Sequence, residues 1–166
     1  MDDQVKQTVL RMIPYGLYVL TASNGEKYAA ATVNWVTQAS FHPPLVVVAV
    51  KEDSLAHSLI MHTNKFALNV LGKQQGPMAF TFFRPTEVEG QTLSGEPFSP
   101  GVTGAPILDN VPAFLECEVR GIVPFGDHTV FVGEVIEVGL KAEVKGRPDE
   151  AILWLKDLGE NIFYGG

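Results

Sequence analysis

The chain has 166 residues, 46% hydrophobic and 19% charged, the composition of a globular domain and not of a disordered chain. Twelve Lys and Arg face nineteen Asp and Glu, a net charge of −7, which makes nucleic acid and anionic membrane poor main partners. One cysteine, Cys117, excludes an internal disulfide framework and a cysteine-based zinc finger, and the longest apolar run, residues 45–50, is far too short to span a bilayer.

The start, Met1-Asp2-Asp3-Gln4, is acidic where a secretory leader is basic, so the expected location is the cytoplasm. Residues 2–12 place Val5, Val9 and Met12 at helical spacing and predict a short helix that Pro14 ends. Residues 16–21 are aromatic and β-branched and predict a strand. Ser23-Asn24-Gly25-Glu26 holds Asn-Gly, the strongest short hairpin signal, so a second strand returns from residue 27 to about 37. His42-Pro43-Pro44 is a turn with an extended exit. Residues 45–50 predict a strand buried on both faces. Asp53 or Ser54 caps a helix to about residue 62. Residues 66–71 predict another strand, and 76–83 a short helix.

Residues 84–106 are rich in Gly, Pro, Ser and Thr and predict a long surface excursion with the character of a lid. Residues 113–123 alternate, with Leu115, Cys117 and Val119 on one face and Glu116, Glu118 and Arg120 on a solvated one. Gly126-Asp127 is a turn, and residues 128–140 form a long strand. No repeat or linker divides the chain, so one domain, 1–166, is expected. Many strands and few short helices predict a mainly β fold, a closed or partly open antiparallel barrel. Residues 151–164 carry a heavy apolar load, Trp154, Phe163 and Tyr164 included, and must pack on their own barrel or on a partner.

Two places carry candidate chemistry. Around Tyr28, three consecutive alanines, Ala29 to Ala31, leave little bulk, so a flat body can approach the backbone. Thr32 and Asn34 share a face there. Such a polar row serves either a ligand with donors and acceptors along one edge or plain solvent. After Lys51, the helix start carries Ser54, His57 and Ser58 on one face. Free N–H groups and the helix dipole make that an anion site or simply an ordinary capped helix. His128, after Asp127 at a strand start, either orients a substrate or sits at the surface. His57 and His62 are five apart and make a poor metal pair, so no metal site is expected. The sequence has no G-x-G-x-x-G, no P-loop and no G-x-S-x-G elbow. Cys117 falls on a core face and reads as inert packing.

In chain order, Tyr15-Gly16-Leu17-Tyr18-Val19-Leu20-Thr21-Ala22 is followed by Ala31-Thr32-Val33-Asn34-Trp35-Val36-Thr37-Gln38-Ala39-Ser40-Phe41-His42-Pro43-Pro44. Next come Ser54 with His57, then Phe66-Ala67-Leu68-Asn69-Val70-Leu71, then Gly126-Asp127-His128-Thr129-Val130-Phe131. Over about residues 11–140 this ordered set resembles the flavin reductase-like family with its FMN-binding split barrel. The resemblance implies a Greek-key antiparallel split β-barrel and a homodimer, each barrel binding one FMN, or FAD, at or near the dimer interface. Carried over by position, Thr32, Asn34 and Trp35 lie along the isoalloxazine edge. Thr37, Gln38 and Ser40 touch the ring or the ribityl chain. Lys51, Ser54 and His57 hold the phosphate, Asn69 is a weaker cofactor candidate, and His128 lies beside the nicotinamide.

The implied activity is transfer of hydride or electrons from NADH or NADPH through the flavin to a protein partner, free flavin or ferric iron. Many free-flavin reductases carry small hydroxyl residues soon after the asparagine. Here the stretch is Trp35-Val36-Thr37-Gln38, similar to members that keep FMN bound and pass electrons to a redox protein: flavoredoxin-like proteins, rubredoxin reductases and flavodiiron-associated reductases. Two alternatives stand beside this one, an FMN-binding electron carrier with no nicotinamide site of its own and a non-catalytic flavin-binding module.

Overall fold

The structure, a computed structural model, describes residues 1–166. The first helix, α1 (Asp3–Arg11), is capped by Asp2, whose carboxylate accepts from the Val5 N–H. The Asn-Gly hairpin joins β1 (Tyr18–Ser23) to β2 (Tyr28–Val33), with Ser23 opposite Tyr28. Gly25 takes φ +90°, and Asn24 Oδ1 accepts from the N–H groups of Glu26 and Lys27, so the turn is closed by the residues that signal it.

The single strand expected over 27–37 is two strands. β2 stops at Val33, and β3 (Val36–Ser40) begins after Asn34-Trp35 with a different partner, β4 (Leu45–Lys51). Ser54 caps α2 (Leu55–Thr63), which ends on Asn64 at φ +57°. β5 (Lys65–Val70) and α3 (Gly76–Thr81) follow. Residues 84–106 lie largely at the surface, as expected, but are not a plain loop: they carry most of a second, small antiparallel sheet of β6 (Val88–Glu89), β7 (Thr92–Leu93), β8 (Glu96–Pro100) and β9 (Pro106–Leu108). β10 (Ala113–Val123) and β11 (His128–Leu140) have the expected bounds.

The main sheet is antiparallel and runs β2-β1-β5-β10-β11-β4-β3. Its two edge strands are consecutive in the chain. Val33 and Val36 are three peptide units apart, so their Cα atoms are at most about 11 Å apart. In a flat sheet of seven strands the edges would lie about 29 Å apart. The sheet therefore curls until its edges face each other, which is the split barrel expected from the resemblance. Asn34-Trp35 spans the seam. On one side the Thr32 N–H donates to the Phe82 carbonyl, and on the other the Ala49 N–H donates to the Trp35 carbonyl.

Inside the barrel, Leu20, Val48, Phe66, Leu68, Cys117 and Phe131 pack against Ala56, Leu59 and Ile60 of α2. A second apolar cluster joins Leu17, Leu71, Met78 and Phe82 to Leu93 and Phe98 of the small sheet and to Leu153 and Leu155. The apolar stretch at 151–155 thus packs on its own barrel, tied by bridges Gly16↔Trp154 and Gly72↔Ile152. α1 buries none of its residues, and Val5, Val9 and Met12 are exposed.

Three buried polar side chains fasten the small sheet. Thr21 Oγ1 donates to the Pro106 carbonyl, Asn69 Oδ1 accepts from the Leu108 N–H, and the Glu116 carboxyl accepts from the N–H groups of Val102 and Thr103. Glu116 lies on the outer face of β10, as the alternation says, but the 101–105 turn covers it and leaves it 1% exposed. The expectation of a solvated Glu116 fails for that reason. Glu116→Ala strands two N–H groups and the Thr103 hydroxyl, so it should cost about 3 kcal/mol, read as a shifted denaturation midpoint. Burial, with the neighbouring Glu116 carboxyl adding to it, pushes the Cys117 thiol up to about 12. In the native protein at pH 8 the thiol is therefore neutral and enclosed. It should resist a thiol-reactive dye until denaturant unfolds the barrel; rapid native-state labelling would contradict this packing.

Candidate functional site

A cavity of about 250 Å³ opens at the seam. One wall is the end of β2, where Ala31 and Val33 flank Thr32. The other is the end of β4, Ala49 to Lys51. The start of α2 contributes Ser54, the residues after α3 contribute Phe82 and Phe83, and the start of β11 contributes His128. Small side chains along β2 keep the wall low, and Phe82, whose carbonyl accepts from the Thr32 N–H, adds apolar surface beside them with Phe83. The polar groups lie close together: His128 is paired with Lys51 across the β11–β4 ladder, near Ser54, and Asn34 follows the end of β2.

At the start of α2, Ser54 Oγ accepts from the His57 N–H and donates to the Lys51 carbonyl, so its hydroxyl is spent on the helix cap. What it presents is the first turn of a nine-residue helix, whose leading N–H groups have no partner within the helix. Lys51 is exposed beside it, with Nζ 3.6 Å from Asp53. His57 is turned away. Its Nε2 pairs with Thr129 Oγ1 at 2.7 Å, and its ring lies 5.6 Å from that of Phe131. The expected phosphate role of the His57 side chain is not what this geometry offers.

Asn34 is 4% exposed in the cavity wall, and Trp35 lines a neighbouring apolar groove with Ile13, Pro14, Tyr15 and Thr37. The Trp35 ring lies 4.6 Å from the His128 ring. His128 Nδ1 donates to Asp127 Oδ1 at 2.8 Å. A carboxylate only accepts, so Nδ1 carries the hydrogen, and the Nε2 of a neutral imidazole is an acceptor. The His128 hydrogen bond, with its charge second, holds the Asp127 carboxyl below the usual carboxylate range.

Nε2 already has a donor: the Tyr164 hydroxyl lies 2.6 Å away. Burial, and then the charges of Asp127 and Asp53, hold the Tyr164 phenol above its ordinary value, so it is a neutral donor at physiological pH. Trp35 Nε1 is buried and has no acceptor.

The structure thus gathers Thr32, Asn34, Trp35, Lys51, Ser54 and His128 at one seam. The Thr32 hydroxyl itself donates to the Ala79 carbonyl. Thr37 and Gln38 are exposed on the edge strand β3, and Ser40 is half-buried at its far end; none of the three lines the cavity. Asn69 is fully buried, with Nδ2 donating to Val19 and Thr21 and Oδ1 accepting from Leu108. It has nothing left for a cofactor. Sequence reasoning missed Phe82, Phe83, Leu155 and Tyr164. The only signal for Tyr164 was its place in an apolar segment with too much to bury.

The family model for a flavin reductase like domain matches residues 10–157. A flavin reductase of Pseudomonas putida is 29% identical over 93% of this chain and 87% of its own length. A diflavin flavoprotein of Synechocystis is 33% identical over 147 residues, 88% of this chain and 25% of that protein. The chain thus spans about a quarter of the length of that relative. The solved NADH:FAD oxidoreductase of Streptomyces globisporus C-1027 superposes with a TM-score of 0.75 at 27% identity, covering 98% of this chain and 95% of that one. With a family model that spans nearly all of the barrel and the seam, the chain belongs to the flavin reductase-like family.

Proposed function

We propose that the chain is a flavoprotein reductase that holds FMN in the seam cavity and uses NAD(P)H to reduce it for an electron acceptor. The observation that carries this is one cavity lined by a helix start able to hold an anion, by Asn34 and by His128, with the unpartnered Trp35 indole packed against His128. FMN offers matching groups: a phosphate and a flat ring with a polar edge. The fit has a further support in Trp35 Nε1, a buried donor that lacks an acceptor and that a flavin carbonyl or ring nitrogen would satisfy.

Lys51 and the leading N–H groups of α2 hold the phosphate, with Ser54 fixing the helix start. Ala31 to Val33 and the two phenylalanines would supply the apolar surface for the flat ring. Asn34 and Trp35 donate to its edge. Bound flavin would supply the two-electron chemistry, hydride in from NAD(P)H and electrons out to the acceptor. Asp127 keeps the His128 Nε2 as an acceptor, which suits the amide N–H of a nicotinamide and fixes the ring over the cavity. The solved oxidoreductase that uses NADH, and its complex with NAD and FAD fragments, support the nicotinamide as reductant. An FMN-binding protein of Thermus thermophilus, 26% identical with a TM-score of 0.68, supports FMN as the flavin, while the NADH:FAD oxidoreductase supports FAD.

Thr37, Gln38 and the groove beside Trp35 face away from the cavity. They suit a second copy of the chain, and the uncovered apolar face of α1 suits the same copy. The match to one quarter of a diflavin flavoprotein supports a protein as the acceptor. One observation favours an electron carrier instead: Tyr164 already occupies the His128 Nε2.

Absorbance spectra of the purified protein, taken without oxygen before and after NADH or NADPH, decide between the two. A yellow protein that bleaches supports the reductase. A yellow protein that ignores both nucleotides is the carrier, and a colourless one that oxidises NADH only with added flavin uses flavin as a substrate. Ser54→Ala loosens the helix start by about 1 kcal/mol, so FMN affinity should fall about fivefold and riboflavin affinity hardly at all. Equal losses measured by fluorescence titration would remove the phosphate assignment.

A further inference from the structure

Residues 163–165 lie across polar groups of the cavity, and every contact they make there uses a group that a ligand would need. The Tyr164 hydroxyl donates to His128 Nε2 at 2.6 Å. The Tyr164 carbonyl accepts from Asn34 Nδ2 at 3.4 Å. The Tyr164 ring lies 5.2 Å from the Trp35 ring. Gly165 sits so close to that indole that a Cβ there would be 3.2 Å from Trp35 Cζ2, and its φ of +115° already disfavours any side chain. Outside the cavity, the Gly165 carbonyl accepts from Arg11 Nε at 3.3 Å, and the Arg11 guanidinium lies 4.4 Å from the centre of the Phe163 ring.

Three features mark this cover as a stand-in. It ties up two groups of the proposed site at once, His128 Nε2 through the Tyr164 hydroxyl and Asn34 Nδ2 through the Tyr164 carbonyl. It fails to satisfy the indole it buries, since Trp35 Nε1 has no acceptor while the segment lies over it. It also forms part of the cavity lining itself, through Tyr164.

We propose that residues 163–165 form a displaceable strap, in which Tyr164 occupies hydrogen-bonding groups, His128 Nε2 and Asn34 Nδ2, that a ligand takes in the working complex. Two ligands of the proposed function, on which this inference rests, can take them: the pyrimidine end of the flavin and the carboxamide of the nicotinamide. Displacing the strap frees His128 Nε2, Asn34 Nδ2 and Trp35 Nε1 together. Tyr164 is a positioning residue that competes with the ligand for the site.

The test uses Tyr164→Phe, which keeps the ring and removes the donor, and Gly165→Ala, which lifts the strap and leaves Tyr164 intact. Hydrogen exchange of the Trp35 indole N–H is followed by NMR on ¹⁵N-labelled protein, the resonance being assigned with Trp35→Phe. Affinities are measured by calorimetry for FMN on the flavin-free chain, and for NAD⁺ and NADP⁺ on the FMN-loaded chain. Losing one hydrogen bond to a mostly closed strap should raise indole exchange and tighten the competing ligand by about fivefold. The ligand that tightens in both variants is the one the strap competes with. Tighter binding is a result that mere structural damage does not produce. Unchanged indole exchange in both variants overturns the proposal, and so does faster exchange with no gain in affinity for any of the three ligands. A wild-type chain that binds neither FMN nor a nicotinamide dinucleotide defeats the proposed function instead, and the exchange rates then decide the strap by themselves.

Discussion

The two residues Asn34 and Trp35 carry the chain from one edge of the sheet to the other, and that short reach dictates the rest. A seven-stranded sheet whose edges must come within about 11 Å cannot stay open. Curling puts Leu20, Val48, Phe66 and Phe131 inside, where α2 plugs the barrel. It also leaves one line, the seam, where backbone groups of the two edges do not pair with each other. The Thr32 N–H and the Trp35 carbonyl find partners in the Phe82 carbonyl and the Ala49 N–H instead. The site forms there because only there does the barrel wall have a gap.

The polar side chains divide into two groups by how completely they are satisfied. Thr21, Asn69 and Glu116 are buried and fully engaged in fastening the small sheet, and His57 is spent on Thr129. A buried polar group with all its partners in the fold belongs to the scaffold. Trp35 Nε1 has no partner, the first N–H groups of α2 have none within their helix, and His128 Nε2 is held by a side chain near the surface. Those incomplete groups gather at the seam, in the cavity or packed against its His128.

Much of this was legible in the sequence. Alternation and turn chemistry located the hairpin at Asn24-Gly25, β4, β5, β10 and β11, and Ser54 was readable as a cap because its partner lies three residues away. The resemblance named the seam residues. What was hidden depends on contacts distant in sequence. Nothing local in 113–123 says that a turn at 101–105 lies over Glu116. Glycines and prolines in 84–106 read as loop because strands of two to five residues give no period to detect. His57 and Asn69 have the residue types of ligands, and only the fold reveals that their hydrogen-bonding groups are already used. Tyr164 is 36 residues from His128 and 130 from Asn34, so no spacing rule could have brought them together.

Arg11 is the last residue of α1 and also a handhold for Phe163 and Gly165. α1 buries nothing of its own, so its apolar side is free to meet another surface while its final residue grips the cover of the site. Whatever docks on α1 and favours one orientation of Arg11 also shifts the balance between covered and uncovered site, and a ligand entering the seam shifts docking by the same factor. On the proposed strap, docking on α1 and access to the seam become one equilibrium, joined through a single guanidinium.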